Sequence, residues 1–125
     1  MNKKERVDAA LRGDLVDRVP ASMWGHDFER EWSTQTLAEA LIENFTRYDW
    51  DYLKVNPRAS YHAEGWKAKY RPSGEKYKAP ICDETPIKCV ADWKRLRPLE
   101  PDFGPLKEQL RVLQLLNHAV GYDAY

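Results

Sequence analysis

The stretch Ser33-Thr34-Gln35-Thr36-Leu37-Ala38-Glu39-Ala40-Leu41-Ile42-Glu43-Asn44-Phe45-Thr46-Arg47-Tyr48, followed directly by Asp49-Trp50-Asp51-Tyr52-Leu53-Lys54-Val55-Asn56-Pro57, carries the fold reading. Leu37, Leu41, Ile42, Phe45 and Tyr48 recur at helical spacing, and Ser33 or Thr34 can cap the helix start. The spacing predicts a helix over 34–47. Leu53 and Val55 then alternate on one face of an expected strand over 49–56, which Pro57 ends. Upstream, Asp17-Arg18-Val19-Pro20-Ala21-Ser22-Met23-Trp24 reads as another strand, with Pro20 near its start or on an edge because it offers no ladder donor. Strand, helix and strand within about forty residues is the pattern of a right-handed βαβ unit with parallel strands.

The rest of the chain extends that pattern. Asn2 with Glu5 makes a capping box for a short first helix, whose stripe is Val7, Ala10 and Leu11 and whose stop is Gly13. From Ala59 to Pro101 come five prolines and both cysteines, Cys82 and Cys89. Ser73-Gly74 lies between runs carrying Tyr70 and Tyr77 and predicts a hairpin. Residues 91–96 read as a short helical turn with Trp93 as a packing anchor. This region is expected to be an excursion over one end of the sheet or barrel. A last helix is predicted over 104–120, with Leu106, Leu110, Leu113, Leu116 and Val120 as its apolar stripe, Pro105 in its first turn and Gly121 at its stop.

Composition narrows the function classes. The chain has 125 residues, 20 Lys+Arg against 20 Asp+Glu, and 12% aromatic residues. Balanced charge argues against a broad nucleic-acid platform, and the aromatic content suits a packed core. No apolar run approaches the roughly 20 residues of a membrane span. The charged N-terminus lacks the apolar core of a secretion signal, and two cysteines in that setting predict reduced thiols in a cytoplasm. Cys82 and Cys89 show no metal-binding spacing, so no metal and no cofactor is expected from these residues. There is no P-loop and no GxGxxG.

In parallel α/β folds, ligand sites lie beyond the carboxyl ends of the strands. The first expected strand ends in Trp24-Gly25-His26-Asp27-Phe28-Glu29-Arg30, and the second in Val55-Asn56-Pro57-Arg58-Ala59-Ser60-Tyr61-His62. Parallel neighbours would bring both loops to one face. That face gathers His26 and Asn56 as catalytic candidates, and Arg30, Arg58, Tyr61 and His62 as binding candidates for a carboxylated ligand. The competing structural roles are plain: Arg58 can pair with Glu64, Asn56 can cap the turn before Pro57, and His26 with Asp27 can satisfy loop backbone.

A family resemblance rests on three stretches. Arg6-Val7-Asp8-Ala9-Ala10-Leu11-Arg12-Gly13-Asp14-Leu15-Val16-Asp17-Arg18-Val19-Pro20 resembles the N-terminal signature of the uroporphyrinogen decarboxylase superfamily, a short helix, LRG, a short spacer and DR-[VT]-P before the first barrel strand. Tyr48 to Arg58 and Pro105 to Leu110 are similar to its uncharacterised, methyltransferase-like branch. The resemblance implies the N-terminal portion of a (β/α)8 TIM barrel, often dimeric. It implies, first, a decarboxylase of porphyrin biosynthesis, converting uroporphyrinogen to coproporphyrinogen without cofactor. The alternative is a relative of the branches that move methyl groups between corrinoid proteins and small thiols, using zinc held by His and Cys in the later half of the barrel. A third reading is non-enzymatic: a truncated chain whose open sheet edge is covered by a second copy or a partner chain.

This sequence departs from the decarboxylase pattern. The family's arginine-rich RQAGR segment is replaced by Gly25-His26-Asp27-Phe28-Glu29-Arg30, with Arg30 alone to stand in. The FSD motif is replaced by Lys54-Val55-Asn56, and an amide cannot ionise to balance a pyrrole cation. A (β/α)8 barrel typically takes about 250 residues. The expectation is therefore one incomplete domain over 1–125, lacking a complete site by itself, with a small carboxylated or tetrapyrrole-like molecule as ligand.

Overall fold

In the computed structural model, which describes residues 1–125, the three longest helices form as the sequence patterning predicts. Helix α1 (Lys3–Arg12) starts at Asn2, whose side chain accepts the Glu5 amide while Glu5 accepts the Asn2 amide, both at 2.8 Å. It stops at Gly13, whose φ of +77° is the left-handed conformation that a side chain would strain. Helix α2 (Thr34–Arg47) is capped by Ser33 Oγ, which accepts the Thr36 amide at 3.1 Å. Helix α5 (Gly104–Val120) has Pro105 in its first turn. Two single-turn helices, α3 (Tyr61–Glu64) and α4 (Val90–Trp93), complete the set.

The core lies between α2 and α5, where Leu37, Ala38 and Leu41 meet Val112 and Leu116, with Ile42, Leu53, Val55 and Leu115 packed around them. Burying this apolar surface is what holds the two helices together. The α5 stripe differs from the expected one. Val112 is 1% exposed, whereas Leu110 and Leu113 stand 45% and 46% exposed. Helix α5 is rotated so that 112 and 116 face α2, a choice its leucine-rich sequence leaves open. Tyr48 likewise ends α2 as an exposed C-cap and joins no core.

The strands depart most from expectation. The segments 17–24 and 49–56 do not form regular strands. A single backbone hydrogen bond joins them, from the Asp51 amide to the Ala21 carbonyl at 2.9 Å, and the Leu53 amide donates to the Tyr125 carbonyl at 2.7 Å. Pro20 and Pro57 bring no ladder donors, and side chains do the bracing instead. Asp51 is fully buried, and its carboxylate accepts the Ala21 amide at 2.9 Å, Arg6 Nη1 at 2.6 Å and Arg18 Nη2 at 2.9 Å. Arg6 also grips Asp17 through two hydrogen bonds of 2.6 and 2.8 Å. The helix, the DRVP segment and the second extended segment are thus fastened by one ionic cluster. The Asp17 hydrogen bond lifts the Arg6 guanidinium above its ordinary value, and the same bond holds the Asp17 carboxyl well below the usual carboxylate range.

The one sheet is an antiparallel hairpin of β1 (Lys69–Arg71) and β2 (Ile81–Glu84), in the register Tyr70 to Cys82 and Arg71 to Ile81, with an irregularity beside Lys69. A hairpin forms within the stretch where one is expected, but its second strand is Ile81–Glu84 and not the run carrying Tyr77, so the connection is longer than the Ser73-Gly74 turn alone suggests. Trp93 is 63% exposed and anchors nothing, because α4 is a single turn on the surface. The hairpin loop crosses the first candidate segment, where the Phe28 amide donates to the Lys76 carbonyl at 2.9 Å. No helix is long and apolar enough to cross a membrane.

Candidate active site

The segment after Trp24 folds into a tight turn that the hydrogen bond from Trp32 Nε1 to the Phe28 carbonyl closes at 2.9 Å. His26 sits in it with its ring stacked on Phe28, centroids 4.8 Å apart and planes within 10°, and edge-on to Trp24. Its Nδ1 lies 2.8 Å from Oε2 of Glu31. Glu31 is 1% exposed, and its second oxygen, Oε1, accepts the Ala59 amide at 3.2 Å. One buried carboxylate therefore ties the loop after the first extended segment to the loop after the second. His26 Nε2 makes no hydrogen bond within the protein, and the side chain as a whole is 23% exposed.

Beside it, Asp27 holds Arg30 Nε at 2.9 Å and Lys76 Nζ at 3.5 Å. Arg30 in turn reaches Oε2 of Glu43 on α2 at 2.8 Å. Burial pushes the Asp27 carboxyl up, but the Arg30 hydrogen bond and charge outweigh it and hold the group below its ordinary value. The Glu43 and Asp27 hydrogen bonds raise Arg30 above its own. Arg30 is thereby committed to two internal carboxylates.

Asn56 is 6% exposed, and its Nδ2 is a buried donor without an acceptor. It lines a small cavity with Gly25, His26, Glu31 and Asn44, of about 10 Å³, close to the room one water needs. Arg58 is equally buried. It pairs with Glu64 at 2.7 Å and Glu108 at 3.0 Å and lies over the Trp32 ring, and its amide donates to Gln109 of α5 at 3.2 Å. Ser60 Oγ shares Glu64. Tyr61 and His62 form an edge-on ring pair on α3, with His62 exposed, and neither lines the cavity.

The structure thus brings His26 and Asn56 together, with Glu31 between the loops. It sets Arg30 and Arg58 into separate ion-pair clusters and leaves Tyr61 and His62 outside. Glu31 was not singled out by sequence. Its only local signal is the polar run Glu29-Arg30-Glu31 between Phe28 and Trp32, and its burial comes from packing. Asp51 likewise carries no local signal of its burial. The residues present do not suit a zinc site: Cys82 and Cys89 are free and exposed, and no three His, Cys, Asp or Glu side chains converge as a metal would need.

No protein-family model and no curated protein sequence matches the chain. Among solved structures, a methyltransferase from Methanosarcina mazei has the same fold over 99% of this chain, with a TM-score of 0.71 and 19% sequence identity. The chain spans 40% of that protein's length. At that identity the likeness is one of fold.

Proposed function

We propose that this chain is the N-terminal part of a methyltransferase-like barrel, with small thiols or comparable nucleophiles as methyl acceptors. The carrying observation is the superposition of nearly the whole chain on part of a methyltransferase. The reading also accounts for an open apolar trough lined by Leu53, Val55, Leu113, Leu116, Val120 and Ala124, the kind of surface that further barrel strands, or a partner chain supplying them, would cover. It is preferred to porphyrinogen decarboxylation because Asn56 stands where an ionisable carboxyl is required, and because Arg30 and Arg58 are spent on internal carboxylates.

Methyl transfer to a thiol requires that the sulfur lose its proton and aim a lone pair at the methyl carbon. His26, whose Nε2 makes no hydrogen bond within the protein, is the candidate acceptor for that proton. The Asn56 amide is a buried donor beside His26, lining a cavity with room for about one water.

The test is methyl transfer from methylcob(III)alamin to 2-mercaptoethanol, followed by the loss of the donor's absorbance. It is run with the chain alone and with the chain assembled on the remainder of the Methanosarcina barrel, assembly being checked by light scattering. Transfer by the assembled pair and loss of it in His26→Ala are expected. An assembled but inactive pair, or coproporphyrinogen formed from uroporphyrinogen by either sample, would overturn the reading.

A further inference from the structure

Glu31 is a buried carboxylate with two neighbours, and both are N–H groups or can be. The Ala59 amide 3.2 Å from Oε1 is an obligate donor, since a backbone nitrogen has no other state. His26 Nδ1, 2.8 Å from Oε2, can carry a proton or a lone pair. A carboxylate offers acceptors only, so a lone pair on Nδ1 would face a lone pair on Oε2 of a side chain that is itself only 1% exposed. The proton must then sit on Nδ1, and in the neutral ring the lone pair falls on Nε2, the nitrogen without a protein partner.

We infer that Glu31 is a positioning residue: it locks His26 in the Nδ1–H tautomer and couples that choice to the placement of the Asn56–Ala59 loop. The Phe28 stack keeps the ring from turning, with its plane within 10° of the phenyl plane. His26 and Asn56 line one cavity, and between them they leave one hydrogen-bond acceptor, Nε2, and one buried unpaired donor, Asn56 Nδ2, without partners in the protein. At about 10 Å³ the cavity has room for no more than one water, a molecule that both donates and accepts. The tautomer assignment stands on geometry alone, whereas its use in methyl transfer rests on the function proposed above.

Glu31→Gln tests it without removing volume. An amide has one acceptor oxygen, which the Ala59 N–H claims because it cannot change its role. The amide NH2 then faces His26 Nδ1, and the ring answers by moving its proton to Nε2. Imidazole 15N shifts, read well above the ordinary imidazole pKa of about 6.5, should show a pyrrole-like Nδ1 and pyridine-like Nε2 in the native chain. In Glu31→Gln they should exchange. Carbethoxylation of His26 by diethylpyrocarbonate should fall severalfold in the variant, while His62 and His118, both exposed, react unchanged and report an intact fold.

An Nε2–H or mixed tautomer in the native chain would overturn the inference, and that measurement does not depend on the variant folding. So would a folded variant whose shifts do not move. A locked Nδ1–H tautomer in a barrel that transfers no methyl group would instead defeat the proposed function and leave the role of Glu31 standing.

Discussion

Arg6 Nη1 donates to the buried Oδ1 of Asp51 at 2.6 Å, across 45 residues of sequence, and this contact fastens the first helix to the segment that leads into the Asn56 loop. The same guanidinium holds Asp17, so the stretch from Arg6 to Pro20 acts as a clamp on the scaffold. Removing one member of such a buried cluster leaves an uncompensated charge, which costs more than the intact pair contributes. Asp51→Asn should therefore lower the urea midpoint well beyond Glu75→Gln, which touches only the exposed Lys78 pair. Equal midpoints would show that the clamp is not a structural hub.

The carboxylates of the cluster also set the acid response. At Asp51, burial pushes the carboxyl up, but the Ala21 amide and the two arginines outweigh it and hold it below its ordinary value, and Asp17 lies lower still. A depressed folded value contributes stability that is fully present above the unfolded value near 3.9 and is lost as pH falls through the folded one. Denaturation midpoints should hold through neutral pH and decline below about pH 4. Asp51→Asn should flatten that decline, and an unchanged slope would contradict the assignment.

The rotation of α5 makes a sharp contrast between two leucines one turn apart. Leu116 is 3% exposed in the core and Leu113 is 46% exposed. Leu116→Ala should cost about 2–5 kcal/mol, while Leu113→Ala should stay within about 0.5 kcal/mol. Chemical unfolding of both variants decides it, and comparable losses would restore the stripe first expected from sequence.

Asn56 separates site from scaffold. Its amide makes no side-chain hydrogen bond within the protein, and its Nδ2 is buried without an acceptor. Asn56→Ala should therefore change stability by less than about 1 kcal/mol, yet diminish methyl transfer in the assembled barrel. A large loss of stability would assign Asn56 to the fold.

Arg58 should behave in the opposite way. It holds Glu64 and Glu108 over Trp32 and so links α3 to α5. Arg58→Gln should destabilise the chain by about 1–3 kcal/mol through lost charged hydrogen bonds. Its thermal midpoint should fall, with the His26 tautomer unchanged. An unaffected midpoint would instead favour a guanidinium free to hold ligand.

What the sequence by itself determined is local. The Asn2–Glu5 capping box, the Gly13 stop, the Ser33 cap and the bounds of α2 and α5 follow from neighbours within one or two turns, so their signals are complete in short windows. His26 and Asn56 line one cavity, as a rule about strand ends led one to expect, although the regular parallel strands that motivated the rule are absent. Only the tertiary structure decided which face of α5 is buried, because a helix rich in leucine offers several equivalent stripes and packing against α2 selects one. Only it decided that Glu31 and Asp51 are interior. Each is an ordinary acid among ordinary acids until donors from distant segments, Ala59 and His26 for one, Arg6, Arg18 and Ala21 for the other, converge to offset the cost of burying it.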